Sequence, residues 1–326
     1  MSITLPHLQA RGLDLDTGPE AFGFLRVSTD IQDNGAACAA RLADEGYLYL
    51  PGLLHRPDVD EARRFALAGL ADQGFLDPDA DLMTGRMKPG AGNPYFKPDL
   101  VDGNTALRRV LYEEDGPLMR FFRTMFGEPV RHFDFTWFRA VGPGKGTAPH
   151  CDVVYMGRGT SRLITAWTPL GDIPLEIGGL MVLENSHKRT DVTGTYLQQD
   201  VDSYCENGAN RESVTTGKLH WEDWKRWQET QTGNAWDGSL SHDPVALREQ
   251  LGGRWLTARE YCMGDVLLFT MGTVHASIDN QTLYIRLSTD TRYQRASESI
   301  DERWINGENN AAPMGHSLAG KRGRVC

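Results

Sequence analysis

From residue 129 onward the hydrophobic pattern of the chain shortens its period to two. Phe133, Phe135 and Trp137 alternate with other residues, and Ala140-Val141 runs into the turn Gly142-Pro143-Gly144. Short apolar runs follow at 153–155, 163–167 and 179–183, and resume at 266–270, 275–278 and 283–291. Successive side chains point to opposite faces of a strand, so this period marks strands packed on one side. Many short strands parted by Gly and Pro turns predict a mainly β sandwich or jelly roll. Asp279-Asn280-Gln281 reads as a turn that joins the last two runs into a hairpin.

Before that point the period is helical. Residues 1–27 read as an irregular arm and 28–128 as a mainly helical part. Ser28 or Asp30 is placed to cap a helix carrying Ala36, Ala39, Ala40 and Leu42, which Gly46 ends. Tyr47–Leu50 reads as a strand stopped by Pro51-Gly52. Residues 58–74 form a second helix with Val59, Ala62, Phe65, Ala66 and Leu70 on one stripe, and 118–126 a third, closed by Gly127. The β regions 129–186 and 251–295 are then interrupted by a polar stretch, 187–250, read as an insertion and possible lid. Trp221, Trp224 and Trp227, spaced i, i+3 and i+6, are expected on one side of a helix there. They either fasten the insertion to the core or close an aromatic face over a substrate.

Charge and cysteine usage narrow the function. The net charge of −10 leaves no basic domain, which argues against nucleic acid as the main partner. Five scattered cysteines, never spaced C-x-x-C, argue against a disulfide scaffold and a cysteine zinc site. The N-terminus shows no signal peptide, and the apolar runs fall far short of the ~20 residues a membrane span needs. A cytoplasmic enzyme acting on a small molecule is the expectation, with no membrane partner and an oligomeric state the sequence leaves open.

His150-Cys151-Asp152 is the sharpest local motif. On a strand His150 and Asp152 point together while Cys151 points away. An imidazole nitrogen with a carboxylate oxygen suits Fe(II) better than structural zinc, and His275, just past the strand 266–270, is placed to supply a third ligand. Two histidines and one carboxylate leave open positions, as oxygen activation at non-haem iron requires. A second H-x-D, His132-Phe133-Asp134, sits among aromatic residues and reads as packing. On the last strand Tyr284, Arg286 and Ser288 share one face, opposite Leu283, Ile285 and Leu287. An inward guanidinium needs an anion, either a dicarboxylate co-substrate or a structural Asp or Glu. Arg292 and Arg295 are the next candidates for an anchor.

In order along residues 30 to 295, these motifs resemble the phytanoyl-CoA dioxygenase family of Fe(II)/2-oxoglutarate oxygenases. The resemblance is carried by Glu45-Gly46-Tyr47 through Gly52, His150-Cys151-Asp152, Trp167-Thr168-Pro169-Leu170 and Gly178-Gly179-Leu180. Asn185-Ser186-His187, Gly264-Asp265-Val266, His275, Ser277 and Arg286 complete it, with the eleven-residue His275-to-Arg286 spacing typical of the family. It implies a single oxygenase domain with a double-stranded β-helix (jelly-roll, cupin-like) core and outer helices. It implies Fe(II) on His150, Asp152 and His275, and 2-oxoglutarate anchored by Arg286 with Ser277 or Ser288, near Trp167. The implied reaction uses O2 and 2-oxoglutarate, releases succinate and CO2, and hydroxylates a small molecule. Asp152 speaks against halogenation, because related halogenases carry a small residue there. The net charge does not favour a polyanionic CoA thioester. The alternatives are a non-catalytic jelly roll that keeps its metal site, and a cupin-type lyase or isomerase without 2-oxoglutarate. Arg286 argues against both.

Overall fold

The computed structural model describes residues 5–201 and 238–316. Two sheets face each other in a jelly-roll arrangement that does not close into a barrel. The larger runs, in space, Tyr47–Leu50, Val266–Thr270, Ile164–Pro169, Arg286–Arg295, Trp137–Val141 and Tyr95–Phe96. Val130–His132 pairs with the far end of Arg286–Arg295. The smaller runs His275–Ser277, Leu180–Leu183, Trp255–Thr257 and Phe22–Phe24, the last pair being parallel.

Alternation along the larger sheet divides its side chains between two cores. Leu48, Leu50, Ala166, Leu268 and Leu287 join helix residues such as Leu42, Val59, Leu67, Leu107 and Phe122 in the outer cluster. Tyr47, Tyr49, Trp167, Leu267 and Phe269 meet Leu180, Val182 and Leu256 between the sheets. The helices Gly35–Glu45, Arg56–Asp72, Thr105–Tyr112 and Pro117–Phe126 cover the outer face. Gly46 and Gly127 end two of them in the left-handed conformation, as the sequence predicts. Asn34, not Ser28 or Asp30, caps the first helix, its side chain accepting from the Ala37 amide at 3.1 Å. The chain is still extended at Ser28, whose amide bonds the Tyr49 carbonyl. Phe65 is 44% exposed; Leu67 takes the inward place on that helix.

Three strand expectations are corrected. Residues 153–155 lie in a short helix, Val153–Met156, because the amides of Tyr155 and Met156 bond back to the Asp152 carbonyl and Val154 is buried. The arm is not irregular throughout: Gln9–Ala10 and Leu13–Asp14 pair, and Phe22–Phe24 adds a strand to the smaller sheet. The runs 275–278 and 283–291 form no hairpin, since His275–Ser277 pairs with Leu180–Leu183 and Arg286–Arg295 lies in the larger sheet. The connection crosses between sheets because its polar residues are tied elsewhere. Asp279 accepts from the amides of Arg11, Gly12 and Gly146 at 2.7–2.8 Å. Asn280 donates to the carbonyls of Val141 and Tyr284. Tyr284 is therefore 42% exposed rather than on the inward face with Arg286.

The tryptophans Trp221, Trp224 and Trp227 lie outside the described residues. The described ends of the 187–250 stretch include the helices Thr190–Leu197 and Pro244–Leu251. They are bonded to the loop around His150: Tyr196 Oη accepts from the Cys151 amide at 3.0 Å, and the Leu240 amide donates to the Pro149 carbonyl at 2.8 Å.

Candidate active site

His150 and His275 are brought together by backbone pairing. Each donates its amide to the other's carbonyl at 3.0 Å, an isolated antiparallel bridge at the edge of the smaller sheet. Their imidazoles sit 4.1 Å apart, centre to centre. The Asn185-Ser186-His187 motif supports this, because Ser186 Oγ accepts from the Val274 amide at 2.9 Å. Each ring is also locked locally: Nδ1 of His150 faces the Ala148 carbonyl at 2.7 Å and Nδ1 of His275 the Thr273 carbonyl at 3.1 Å. Donation from Nδ1 leaves the Nε2 lone pair as the available ligand on both.

Asp152 arrives by a route the strand rule did not foresee. It has helical backbone angles and opens Val153–Met156. The turn nevertheless brings its carboxylate to the histidines, with Oδ1 3.8 Å from His275 Nε2. Ligand atoms of His150, Asp152 and His275 all lie within 4.8 Å of one another, and all three residues are buried. Burial holds His150 down at about 3, helped by the neighbouring His275, and also lowers His275, so both rings are neutral. Burial alone would raise Asp152; Arg292 first, then the two histidines and Thr165, hold it well below the usual carboxylate range. Two neutral imidazoles and one ionised carboxylate form a donor set that fits Fe(II).

Arg292 is the main residue that sequence reasoning misplaced. Instead of offering a second anchor, its Nη2 donates to Asp152 Oδ2 at 3.0 Å, and its guanidinium lies 4.3 Å from the centre of the Trp137 ring. Thr165 Oγ1 donates to the same oxygen. Arg295 lies on the other side, 3.7 Å from Glu128. The signal was present in the alternation of Arg286–Arg295: Ser288, Asp290 and Arg292 follow Arg286 at every second position.

Arg286 is buried on the inner face, where desolvation lowers its guanidinium to about 10. Nη1 donates to the Gly178 carbonyl, and Nε has no partner. The buried hydroxyls of Ser277 and Ser288 also have none. Arg286, Ser277, Trp167, Leu180 and Thr147 line an inner cleft that includes the three candidate ligands. The cleft is thus lined by unpaired polar atoms of Arg286, Ser277 and Arg292, the last through Nε and Nη1, and these favour a polar guest, since each is costly if left unpaired. Gly178 has φ +82°, and a Cβ on it would lie 2.3 Å from the Ile278 carbonyl oxygen. We therefore expect Gly178→Ala to cost about 1–3 kcal/mol in denaturant unfolding.

His132-Phe133-Asp134 is not part of the site. The His132 ring packs on Tyr112 with centres 4.4 Å apart, and Asp134 accepts from the Asn306 amide at 2.7 Å. His132→Ala should retain bound iron in full, measured by metal analysis, while His150→Ala loses it. The reverse pattern would overturn the assignment.

Residues 43–288 match the family model described as phytanoyl-CoA dioxygenase. A 1-deoxypentalenic acid 11-beta-hydroxylase of Streptomyces exfoliatus is 28% identical over 282 residues, spanning 82% of this chain and 84% of its own. Among solved structures, EctD from S. alaskensis with 2-oxoglutarate and 5-hydroxyectoine is 17% identical. Its TM-score is 0.52, and the match covers 96% of this chain and 91% of that one. The epimerase SnoN, solved with Fe3+, alpha ketoglutarate and nogalamycin RO, is 20% identical with a TM-score of 0.51. That match covers 86% of this chain and 94% of the other. At such identities the two structures are likenesses of fold.

Proposed function

The chain belongs to the phytanoyl-CoA dioxygenase family, and from that premise we propose that it is an Fe(II)/2-oxoglutarate-dependent dioxygenase that hydroxylates a small molecule. The observation that carries this reading is one buried cleft holding two imidazoles, a carboxylate and a guanidinium with an unpaired Nε. Iron, when bound, would activate O2, the oxidant, with two electrons coming from 2-oxoglutarate as it becomes succinate and CO2 and two from the hydroxylated substrate.

The protein's residues hold and orient. His150, Asp152 and His275 would hold the iron, the histidines offering Nε2 because Nδ1 faces a backbone carbonyl in each and Asp152 offering Oδ1. Arg292 and Thr165 occupy Asp152 Oδ2, which keeps the carboxylate from rotating and commits its other oxygen to the metal. Arg286 takes the distal carboxylate of 2-oxoglutarate, with Ser277 and Ser288 as hydroxyl donors and Trp167 as a wall. The orphaned atoms of Arg286, Ser277 and Ser288 favour this over a jelly roll that only keeps a metal, and over a lyase that lacks the dicarboxylate. The described ends of the 187–250 stretch border the candidate iron site, a reading supported by their bonds to the 149–151 loop.

The relative from Streptomyces exfoliatus, a hydroxylase by name, supports a small-molecule substrate here. No helix among the described residues is long and apolar enough to cross a membrane. Cys38, Cys151 and Cys262 are free thiols, which supports a reducing, cytoplasmic location. The test is stoichiometry. With Fe(II) and 2-oxoglutarate the protein should consume O2 and form succinate in equal amounts, and an iron chelator should abolish both. Succinate formation that survives the chelator would contradict the reading.

A further inference from the structure

Outside the inner cleft lies a chamber of about 660 Å³ that shares His150 and Asp152 with it. Tyr95, Phe96, Trp137 and Tyr155 give it aromatic walls, which suit an apolar, ring-bearing body. Its charge is not apolar. We infer, resting on the functional reading above, that the substrate carries one carboxylate and that Arg139 receives it.

The first argument is charge balance. Arg139, Arg286 and Arg292 line the two compartments against Asp152 and Asp290. Fe(II) and the 2-oxoglutarate dianion would cancel, so the described residues lining the loaded site keep one positive charge in excess. This excess sits inside a chain whose net charge is −10. A desolvated cation without a counter-charge is costly, so the site favours an anionic guest over a neutral one.

The second argument is geometry. Arg286 belongs to the inner cleft alone, and Arg292 spends Nη2 on Asp152, so it cannot offer both Nη groups to a guest, although its Nε and Nη1 are unpaired. Arg139, on Trp137–Val141, lines both compartments. Its Nε donates to Asp290 Oδ2 at 3.2 Å, and its guanidinium lies 5.4 Å from the Phe96 ring centre and 5.9 Å from that of Tyr95. Neither Nη atom hydrogen-bonds to a described residue, so a planar, oriented pair of donors remains for a carboxylate. Tyr95 holds its place at φ +55°, an uncommon angle for a tyrosine, with its hydroxyl 2.9 Å from Thr147 Oγ1. Together these residues hold the guanidinium against the ring wall, where it lines both compartments.

The test uses the Fe(II) protein under anaerobic conditions. Formation of the visible charge-transfer band with 2-oxoglutarate is checked first. Adamantane-1-carboxylate, adamantane-1-carboxamide and 1-adamantylammonium are then titrated calorimetrically into that complex. The carboxylate should bind at least about tenfold tighter than the amide, and the ammonium most weakly. Arg139→Gln should reduce the acid-to-amide preference to under about threefold and leave 2-oxoglutarate affinity within about threefold of wild type. Should that variant fold poorly, the three-probe comparison on the wild-type protein decides alone. Equal binding of acid and amide overturns the inference. So does an Arg139→Gln protein that keeps the preference, or one that loses 2-oxoglutarate binding. Absence of the band in the wild-type protein overturns the functional reading itself, and the inference with it.

Discussion

Asp152→Asn should lose iron and, with it, all 2-oxoglutarate turnover. The substitution keeps the size of the side chain and leaves Arg292 an oxygen to donate to, so the fold should survive. Asp152→Ala is the poorer probe: it strands a buried guanidinium, a change that costs about 3–5 kcal/mol when one partner of a buried pair is removed. Asparagine removes only the charge. Altering residues that merely support a ligand typically costs 10–100-fold in metal affinity. Losing the anionic ligand itself should exceed roughly 100-fold on that scale. Iron retained at wild-type stoichiometry in a folded Asp152→Asn protein would remove this residue from the metal centre. His132→Ala serves as the internal control, because its ring packs against Tyr112 and Tyr293 and is not among the residues lining the cleft.

Arg286→Ala should raise the 2-oxoglutarate requirement while iron stays bound. Losing a buried, hydrogen-bonded charge partner typically costs ~2–5 kcal/mol of binding, about 30-fold to several thousand-fold in affinity. The Nη1 bond to the Gly178 carbonyl fixes where the guanidinium lies, so an anchor there would be in place before the co-substrate arrives. Arg286→Lys should recover part of the loss, since an ammonium cannot make two parallel bonds to a carboxylate. Wild-type 2-oxoglutarate affinity in Arg286→Ala would move the anchor elsewhere. Arg292, which lines the same cleft with Nε and Nη1 unpaired while Nη2 is held by Asp152, would be the next residue to substitute.

The parts legible in the sequence were those governed by local rules. Gly46 and Gly127 mark helix ends because the left-handed conformation there is set by the residue itself. The inward face of Arg286, Ser288, Asp290 and Arg292 follows from strand alternation. The three candidate ligands were also reached from motif and resemblance, although Asp152 comes to the site through a turn and not along a strand. What stayed hidden depends on distant partners. Residues 153–155 have strand composition, yet bonds to the Asp152 carbonyl make them a helix. Asp279-Asn280-Gln281 has turn composition, yet Asp279 is claimed by Arg11, Gly12 and Gly146, so the chain crosses between sheets. The bond from Arg292 to Asp152 spans 140 residues, and no spacing rule reaches that far.

The central claim is that iron on His150, Asp152 and His275 is chelated by 2-oxoglutarate in the cleft that Arg286 closes. An anaerobic titration of the Fe(II) protein with 2-oxoglutarate, followed in the visible region, tests it most directly. A charge-transfer band that saturates at one equivalent is the result expected, absent in Asp152→Asn and shifted to much higher concentration in Arg286→Ala. An iron-loaded protein with no band at saturating 2-oxoglutarate, or an undiminished band in Asp152→Asn, would contradict the account.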